Sequence, residues 1–584
     1  MRLLACSLLF ATLCPLASAQ TTPVADRVAA QNALFEEFYQ LGLKNSPERA
    51  TSAGDYRYNA LLSDVSLAAI ARQHAEADAF LARLRTISTA GMDDTDRLSH
   101  ELLERQITQG DISFALKNFE MPINQQNGIH SGLADLPLSV PLDSVQHYDD
   151  YIARLHQIPR VLNQTVEVLR QGEKDGLMPP RFILEKLPVQ CDGIIAANPF
   201  LLPAKKFPAS FSDADKQRLN AAMTKAVNDE VFPAYRAFAA FLRADYTPHG
   251  RTAISVETLP EGKRRYAAAV KAMTTVDITP EAVHAIGLKE VARITAAMTD
   301  LAQKNGYKDL ASFRAAIRDN PKWTPTSERQ IIDDFAKYIH QMEPKLPELF
   351  NLLPKSPVTV EGIPDFDAAA ATHYVSGTPD GKRAGRVVVA VANPTRRTLV
   401  MDEAVAYHEG VPGHHMQISV AQRLKGLPKF RLRGGYSAYT EGWALYAEEL
   451  GKEVGFYTDP VSDYGRLNSE LFRAVRLVVD TGIHDKGWTR DQVIAYMRVN
   501  DVNEVVAQSE TDRYIAWPGQ ALAYKMGQLK IRELRDRAKV QLGARFDIKA
   551  FHDEILDGGA MPLDLLDARV DRWIKAQLPV SASN

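Results

Sequence analysis

Residues 407–417 read YHEGVPGHHMQ and place three of the chain's 14 histidines within eight residues, beside a glutamate. Histidine is the usual nitrogen ligand of protein zinc sites, and a glutamate next to a ligand can act as a general base. The preceding residues, MDEAVAY (401–407), predict a helix that leads into this segment. The segment therefore predicts a metal site built at a helix.

The spacing of these histidines departs from that of an ordinary zinc-binding helix. In the common H-E-x-x-H pattern, ligands at i and i+4 share one face of the helix, but here Pro412 stands at i+4 from His408. On a regular helix, His414 at i+6 would be rotated by about 120° from His408. His415 at i+7 would lie about 10 Å from His408 along the helix axis. Two residues must therefore be looped out, and Pro412-Gly413 supplies the break.

A third ligand is expected from the later segment SAYTEGWALYAEEL (437–450). Glu441 and Glu448 lie seven residues apart and share one helical face. A glutamate on an apolar helix is rarely buried without a partner. Glu441 follows His414 by 27 residues, which suits a second, antiparallel helix after the loop RLKGLPKFRLRGG (423–435).

Most of the chain carries apolar residues at helical spacing, which predicts a mainly α-helical protein. The clearest helical stretches are 25–45, 66–87, 148–175 and 211–244. Pro159 breaks or kinks the third stretch. Thr279 and Pro280 start a further helix that runs to about Lys304, with Thr as the N-cap and Pro at the first helical position.

Strand signals are confined to AATHYVSGT (370–378) and RVVVAVA (386–392), which the glycines and proline between them join as a hairpin. The hairpin precedes the histidine segment and could hold an extended peptide by strand addition. His373 and Tyr374 would then face the cleft. A purely structural hairpin is the alternative.

The first 19 residues predict an export signal, because a positive start and an apolar run end in Ala-Ser-Ala (17–19). Cleavage is expected before Gln20, which makes the mature protein periplasmic or secreted. Cys14 follows Leu13 and suits a lipoprotein poorly. Cys191 is then the single remaining cysteine, so the mature chain has no internal disulfide.

The Pro-rich stretch 353–365 is the best candidate for a boundary inside the mature chain. We expect a helical N-terminal part, 20–355, and a catalytic C-terminal part, 356–584, within one two-lobed body. The 69 basic and 72 acidic residues give a net charge of −3. This balance argues against general binding to nucleic acid or to an anionic membrane surface, and no apolar run after the signal is long enough to span a membrane.

Three segments resemble the signatures of the domain-of-unknown-function 885 family, whose members are bacterial and commonly exported. They are YHEGVPGHHMQ, SAYTEGWALYAEEL and RYIAWPGQALAYKMGQLKI (513–531). This family is similar to helical gluzincin peptidases such as thermostable carboxypeptidase, neurolysin and dipeptidyl peptidase III. The resemblance implies a two-lobed helical body with a deep cleft, a small sheet near the active site and a zinc ion.

The resemblance also implies roles for individual residues. His408, His414 and Glu441 would bind Zn²⁺, and Glu409 would be the general base that activates the zinc-bound water. The preference for His414 over His415 rests on the Gly-His pair in the helices of these peptidases. His415 would then donate to the oxyanion or support a ligand.

The third segment suits contact with a substrate. Tyr514 and Tyr524 are both candidates to hydrogen-bond the tetrahedral oxyanion. Gln520, Tyr524 and Gly527 share a helical face that could line a cleft. The alternative is that these aromatic residues belong to the core.

A polar row in LFRAVRLVVDTGIHDKGWT (471–489) allows two interpretations. Arg473, Arg476 and Asp480 recur at i, i+3 and i+7, followed by His484. The structural interpretation is a buried ion network in which Asp480 pairs with an arginine. The functional interpretation is an arginine, Arg473 foremost, that holds a substrate carboxylate.

Together these patterns favour a zinc-dependent peptidase that cleaves short peptides in the periplasm. Two histidines and one carboxylate also describe non-haem iron oxygenases, although such an enzyme has no need of the base Glu409. A third hypothesis is a non-catalytic peptide-binding or scaffold protein with a degenerate metal site. The sequence carries no signal for an oligomeric state.

Overall fold

Helices account for most of the fold, in agreement with the helical spacing along the sequence. The computed structural model describes residues 22–363, 371–378, 383–432 and 435–578. The predicted signal segment 1–19 lies outside these described residues. None of the described helices is both long enough and apolar enough to cross a membrane.

The α-helices follow one another along the chain with short connections. Those of the first half are α1 (Val24–Asn45), α2 (Pro47–Ser52), α3 (Leu67–Arg85), α4 (Asp94–Ala115), α5 (Ile129–Ala134), α6 (Leu136–Ser139), α7 (Val145–Leu155), α8 (Ile158–Lys174), α9 (Arg181–Leu184), α10 (Lys186–Ala197), α11 (Asp213–Ala226), α12 (Phe232–Phe241) and α13 (Gly262–Thr274). Those of the second half are α14 (Pro280–Lys304), α15 (Leu310–Arg318), α16 (Glu328–Met342), α17 (Leu346–Leu349), α18 (Asp402–Glu409), α19 (His414–Ala421), α20 (Ser437–Glu453), α21 (Pro460–His484), α22 (Arg490–Val499), α23 (Glu504–Ala516), α24 (Ala523–Leu542), α25 (Ile548–Leu556) and α26 (Leu563–Gln577).

The local signals in the sequence set the ends of these helices. Ser66 caps α3, and Thr279 caps α14, which ends at Lys304 as predicted. The stretch 148–175 divides between α7 and α8, with Pro159 in the first turn of α8. The stretch 211–244 becomes α11 and α12, joined by a π-helical turn. The mainly helical fold class is therefore confirmed.

The predicted hairpin is present as two strands of a three-stranded sheet. Strands β2 (His373–Val375) and β3 (Gly385–Val389) pair antiparallel, with His373 opposite Val388. A further strand, β1 (Val358–Gly362), pairs parallel with β3, so that the strand order is β1-β3-β2. The sequence did not reveal β1, because five residues between prolines show little periodicity and the partner strand is distant in the chain. This strand lies within the stretch 353–365 predicted as a domain boundary.

Two large apolar clusters form the core. One cluster lies wholly within residues 62–246 and is built mainly by α5 to α12. The other runs from Leu98 to Ile574, with most of its members in α14 to α26, and combines residues from both sides of position 355. Its largest fully buried side chain is that of Trp443. The candidate site lies within the elements of this second cluster.

The helices α20 and α24 approach each other at two glycines. A Cβ atom on Gly527 would overlap the carbonyl oxygen of Ala438, and one on Gly442 would overlap the backbone of Gly527. Gly442 directly follows Glu441, so this contact fixes the backbone that carries the glutamate. The close approach explains why both motif segments contain a glycine inside a helix, where glycine is otherwise unfavourable.

We expect Gly527→Ala to destabilise the protein, because the added methyl group forces α20 and α24 apart. Overpacking of this kind costs about 1–3 kcal/mol, and thermal unfolding followed by circular dichroism would measure it. Gly110→Ala is the matched control, since a Cβ there meets no atom within 4 Å and alanine stabilises a helix interior by about 0.5–1 kcal/mol. Equal stability of the two variants would contradict the proposed close contact.

Candidate metal centre

The helix that carries the histidine segment is interrupted, as its spacing predicted. Helix α18 ends at Glu409 and α19 begins at His414. The backbone turns between them, where the N–H of Gly413 donates to the carbonyl oxygen of Tyr407 at 3.0 Å. A Cβ on Gly413 would overlap the carbonyl oxygen of His408, so this turn requires a glycine. The interruption brings the rings of His408 and His414 to a centroid separation of 4.9 Å at 90°.

His408, His414 and Glu441 converge on one point. The Oε2 atom of Glu441 lies 3.4 Å from the Nε2 atom of His408 and 3.4 Å from that of His414. One ligand atom from each residue lies within 4.8 Å of the others. In a tetrahedral zinc site with bonds of about 2.1 Å, ligand atoms stand about 3.4 Å apart. The donor types and these distances would suit a divalent metal ion such as Zn²⁺, and a tetrahedral ion held by these three residues would keep one position for water.

A second carboxylate orients the first histidine. The buried Glu448 accepts a hydrogen bond of 2.9 Å from the Nδ1 atom of His408. Because this bond holds a proton on Nδ1, the neutral ring would offer the lone pair of Nε2 to a metal, an arrangement common at zinc sites. The sequence placed Glu448 on the same face as Glu441 but offered no signal for this role, which depends on the distance between two helices.

Glu409 lies beside the triad at the end of α18. Its side chain is buried, and its carboxylate forms no hydrogen bond within the described part of the chain. Burial raises the pKa of Glu409, against the opposing effect of the charges on His408, His414 and Arg473. A buried carboxylate with a raised pKa and free oxygens can accept and return a proton, which is what a general base requires.

The electrostatics of the cluster favour a cation. Burial opposes a charge on His408, but Glu441 and Glu448 raise its pKa to about 9. Burial likewise opposes a charge on Glu441, yet His414 and His408 hold the pKa of Glu441 well below its ordinary value. Together with Glu409, three carboxylates surround two imidazoles. The raised pKa of His408 shows that the cluster stabilises a positive charge at this position, which a divalent cation would supply.

His415 points away from the triad. Its Nε2 atom donates to the carbonyl oxygen of Ser356 at 3.0 Å, and its Nδ1 atom accepts from the hydroxyl of Tyr374 at 3.0 Å. Burial lowers the pKa of His415 to about 4, so the ring is neutral. These contacts tie α19 to the sheet. In the structure, His414 therefore lies next to Glu441, whereas both ring nitrogens of His415 form hydrogen bonds with Ser356 and Tyr374.

The two site candidates on the hairpin, His373 and Tyr374, have different environments. Tyr374 is half-buried and reaches His415, whereas His373 is exposed and its Nδ1 atom lies 2.8 Å from the carbonyl oxygen of Ala371. This follows from the alternation of side chains along a strand. Only Tyr374 is thereby joined to the helix that carries His414.

Two candidates of the third segment, Tyr514 and Tyr524, contact Arg476. The buried hydroxyl of Tyr514 donates to Glu510 at 2.6 Å and accepts from the Nε atom of Arg476 at 3.0 Å. The ring of Tyr524 lies against the same guanidinium, 4.6 Å from its centre. Gln520 is buried, and its Oε1 atom has no hydrogen-bond partner among the described residues. The sequence did not reveal Glu510, which lies one helical turn before Tyr514.

The polar row of α21 differs from the predicted ion network at one position. Among the described residues, Asp480 forms no ion pair with an arginine: its carboxylate instead accepts hydrogen bonds from the hydroxyl of Tyr266 at 2.7 Å and the N–H of Gly519 at 3.1 Å. Burial raises the pKa of Asp480 to about 7, although the charge of Arg513 lowers it. The helix carries Asp480 past the arginines to the side where α13 packs. Arg473 instead lies near the metal triad, with its Nη2 atom 3.9 Å from Glu448.

One cavity of the described structure lies away from the triad. It measures about 650 Å³ and lies between α14 and α24, where Glu290, Arg293 and Arg532 contribute to its wall. His408, His414 and Glu441 do not line it. The deep cleft expected beside the metal site is therefore not this cavity.

The fold and the site define a mainly helical protein with a buried cluster of two histidines and one glutamate that could hold a metal ion. The family model described as "Bacterial protein of unknown function (DUF885)" matches residues 47–570. The chain belongs to this family, which confirms the resemblance seen in its sequence. No curated protein matches the chain.

Solved structures share the fold. "The putative lipoprotein from Colwellia psychrerythraea" is similar with a TM-score of 0.87 at 29% identity, covering 94% of this chain and 99% of that one. A "putative lipoprotein of unknown function from Shewanella oneidensis" has a TM-score of 0.73 at 18% identity, with the same coverage. A "putative oligoendopeptidase F from Bacillus anthracis str. Ames" reaches a TM-score of 0.30 at 13% identity over 86% of this chain and 96% of that one, a value too low to indicate a common fold.

We expect His408→Ala and His414→Ala to lose zinc after reconstitution, because each removes a nitrogen that faces Glu441. His415→Ala should retain zinc, since its ring is bonded to Tyr374 and Ser356. Inductively coupled plasma mass spectrometry would measure the metal content, and circular dichroism would establish that each variant is folded. Retention of zinc by a folded His414→Ala variant would contradict this ligand set.

We expect Glu448→Gln to bind zinc about 10–100-fold more weakly, because loss of the outer carboxylate makes His408 less basic and less firmly oriented. Competition with a chromogenic chelator would measure the affinity. Glu453→Gln is the matched control on the same helix, since Glu453 pairs at the surface with Arg535. An unchanged affinity in Glu448→Gln would contradict the role assigned to Glu448.

Proposed function

We propose that the protein is a zinc-dependent hydrolase, a peptidase that cleaves short peptides outside the cytoplasm. The observation that carries this proposal is the convergence of His408, His414 and Glu441 at spacings of 3.4 Å, with the unbonded carboxylate of Glu409 beside them. A metal site without a base would suit a structural or redox role. The buried glutamate next to the first ligand favours hydrolysis.

His408, His414 and Glu441 would hold the zinc ion. When bound, Zn²⁺ supplies a Lewis acid that polarises a carbonyl group and lowers the pKa of water. Glu409 would accept a proton from the attacking water and deliver it to the leaving amine, because its raised pKa suits both steps. Glu448 would keep His408 in the tautomer that binds metal.

A tyrosine would stabilise the charge that develops on the carbonyl oxygen. Of the two candidates, we favour Tyr524, because the hydroxyl of Tyr514 is already bonded to Glu510 and Arg476. Tyr524 forms no hydrogen bond with another described residue, so its hydroxyl is free to donate. Tyr514 would then position Arg476.

The sheet would hold the substrate in an extended form. Because β2 is an edge strand in the order β1-β3-β2, its outer side can pair with a peptide. Tyr374 links this strand to the metal helix through His415, and His373 lies exposed on the same strand. Arg473 and Gln520 would complete the binding surface.

The proposal includes export of the protein from the cytoplasm. The signal segment 1–19 would be cleaved, leaving a helical part (20–355) and a catalytic part (356–584) in the periplasm or outside the cell. The names of the two similar structures, both described as lipoproteins, support export. We propose neither nucleic acid nor a membrane surface as a partner of the mature chain.

We expect Glu409→Gln to retain zinc and to lose peptidase activity about 10²–10⁴-fold, because it removes the base without removing a ligand. Mass spectrometry of a peptide mixture incubated with the zinc-loaded protein would measure cleavage. Glu453→Gln, at the surface of α20, is the matched control and should be fully active.

Three results would redirect or contradict the proposal. Bound iron with oxidised products would favour the two-histidine, one-carboxylate oxygenase. Failure of the folded protein to bind any metal would leave a non-catalytic peptide-binding or scaffold protein. Zinc binding with full activity in Glu409→Gln would contradict the role of Glu409 as the base.

A further inference from the structure

Three arginines lie on or next to α21, and the first of them, Arg473, approaches Glu448 beside the metal triad. Arg473 and Arg476 stand one turn apart on α21, and Arg513 comes from α23. Their side chains are 12%, 8% and 18% exposed. Arginines this deeply buried are normally satisfied by acceptors, yet the acceptors around these three are too few.

Arg476 is held rigidly and keeps one donor unused. Its Nε atom donates to the hydroxyl of Tyr514 and its Nη2 atom donates to Glu510, both at 3.0 Å. The guanidinium lies 4.4 Å from the ring centre of Phe472 and 4.6 Å from that of Tyr524. The buried Nη1 atom has no hydrogen-bond partner among the described residues.

Arg513 turns toward the same carboxylate and is even less satisfied. Its Nη2 atom lies 3.4 Å from the Oε2 atom of Glu510, the oxygen that Arg476 already contacts. Neither Nε nor Nη2 of Arg513 forms a hydrogen bond within the described part of the chain, although both are buried. Leaving such donors unpaired is costly, so a further acceptor is needed.

The acceptors around this pair leave donors unpaired. Arg476 and Arg513 share the carboxylate of Glu510. Burial raises the pKa of Asp480, one turn beyond Arg476 on α21, and the charge of Arg513 is close enough to oppose this rise. The oxygens of Asp480, however, accept hydrogen bonds from the hydroxyl of Tyr266 and the N–H of Gly519. A planar anion with two acceptor oxygens would pair with the remaining guanidinium donors, and a carboxylate has this geometry.

The location of the pair suits the end of a short peptide. Arg473 approaches Glu448, which holds His408. Arg476 lies one turn further along α21, about 4.5 Å along its axis. An extended residue spans about 3.3–3.6 Å, so one or two residues of a peptide cover the rise from Arg473, beside Glu448, to Arg476.

We propose that Arg476 and Arg513 bind the C-terminal carboxylate of the substrate, so that the enzyme is an exopeptidase of the carboxypeptidase type. The inference rests on the proposed peptidase function for the cleavage itself. Hydrolysis adds one water across a peptide bond near the C-terminus. The new carboxylate remains on the N-terminal fragment, and the leaving amine belongs to the short fragment that Arg513 holds.

Binding can be tested separately from cleavage. The probe is a mixture of tetrapeptides without aspartate or glutamate, prepared as free acids and as C-terminal amides, so that no side-chain carboxylate can replace the terminal one. Equilibrium dialysis against zinc-loaded Glu409→Gln protein, read by mass spectrometry, measures binding of both forms. We expect the free acids to bind at least ten-fold more tightly than the amides.

Variants of Arg513 connect this preference to the arginine pair. In the Glu409→Gln background, Arg513→Met should reduce the preference for free acids over amides below three-fold. Arg513→Lys should restore part of this preference, because lysine keeps the charge but not the planar guanidinium group. Arg498→Met is the matched control, since Arg498 pairs with Glu504 at the surface of the protein. Arg476→Met removes contacts to Tyr514 and Glu510, so circular dichroism must first establish that this variant is folded. If Arg476→Met is unfolded, the Arg513 variants alone test the carboxylate site.

The outcomes separate this inference from the proposed function. Equal binding of acids and amides, binding of neither form, or a preference that survives Arg513→Met would overturn the carboxylate site. If the wild-type protein also cleaves both forms equally, the peptidase function stands without this site. If acids bind preferentially but the wild-type protein cleaves no peptide, the carboxylate site stands and the peptidase function fails.

Discussion

One carboxylate oxygen shared by two imidazoles is the contact on which the site depends. The Oε2 atom of Glu441 lies 3.4 Å from the Nε2 atoms of His408 and His414. The two rings can meet there because the helix stops at Glu409 and restarts at His414. On an unbroken helix they would stand about 120° apart. Glu409 and the outer carboxylate Glu448 lie around this meeting point.

The surrounding structure holds this contact rigidly. The glycine contact between α20 and α24 fixes the backbone next to Glu441, and His415 anchors α19 to the sheet through Tyr374 and Ser356. Glu448 fixes the ring of His408. A metal site requires preorganisation of this kind, because the ligands are then held at the correct distances before the ion binds.

The charges of the site divide into two regions along α21. Around the triad, carboxylates exceed imidazoles, which favours a cation. One turn beyond Arg473, two guanidinium groups share Glu510 and keep donors unpaired, which suits an anionic ligand. The peptide that we propose as substrate would place its carbonyl group at the first region and its carboxylate at the second.

Local features of the sequence determined the helices, their caps, the break at Pro412-Gly413 and the residue types of the metal ligands, because each depends on neighbours within a few positions. The same pattern left open whether His414 or His415 adjoins Glu441, predicted an arginine partner for Asp480 and contained no sign of β1. Only the tertiary structure decided these points. The reason is physical: the rotation of α19 after the break, the side of α21 that meets Tyr266 and the pairing of β1 with β3 all depend on contacts between elements far apart in the chain.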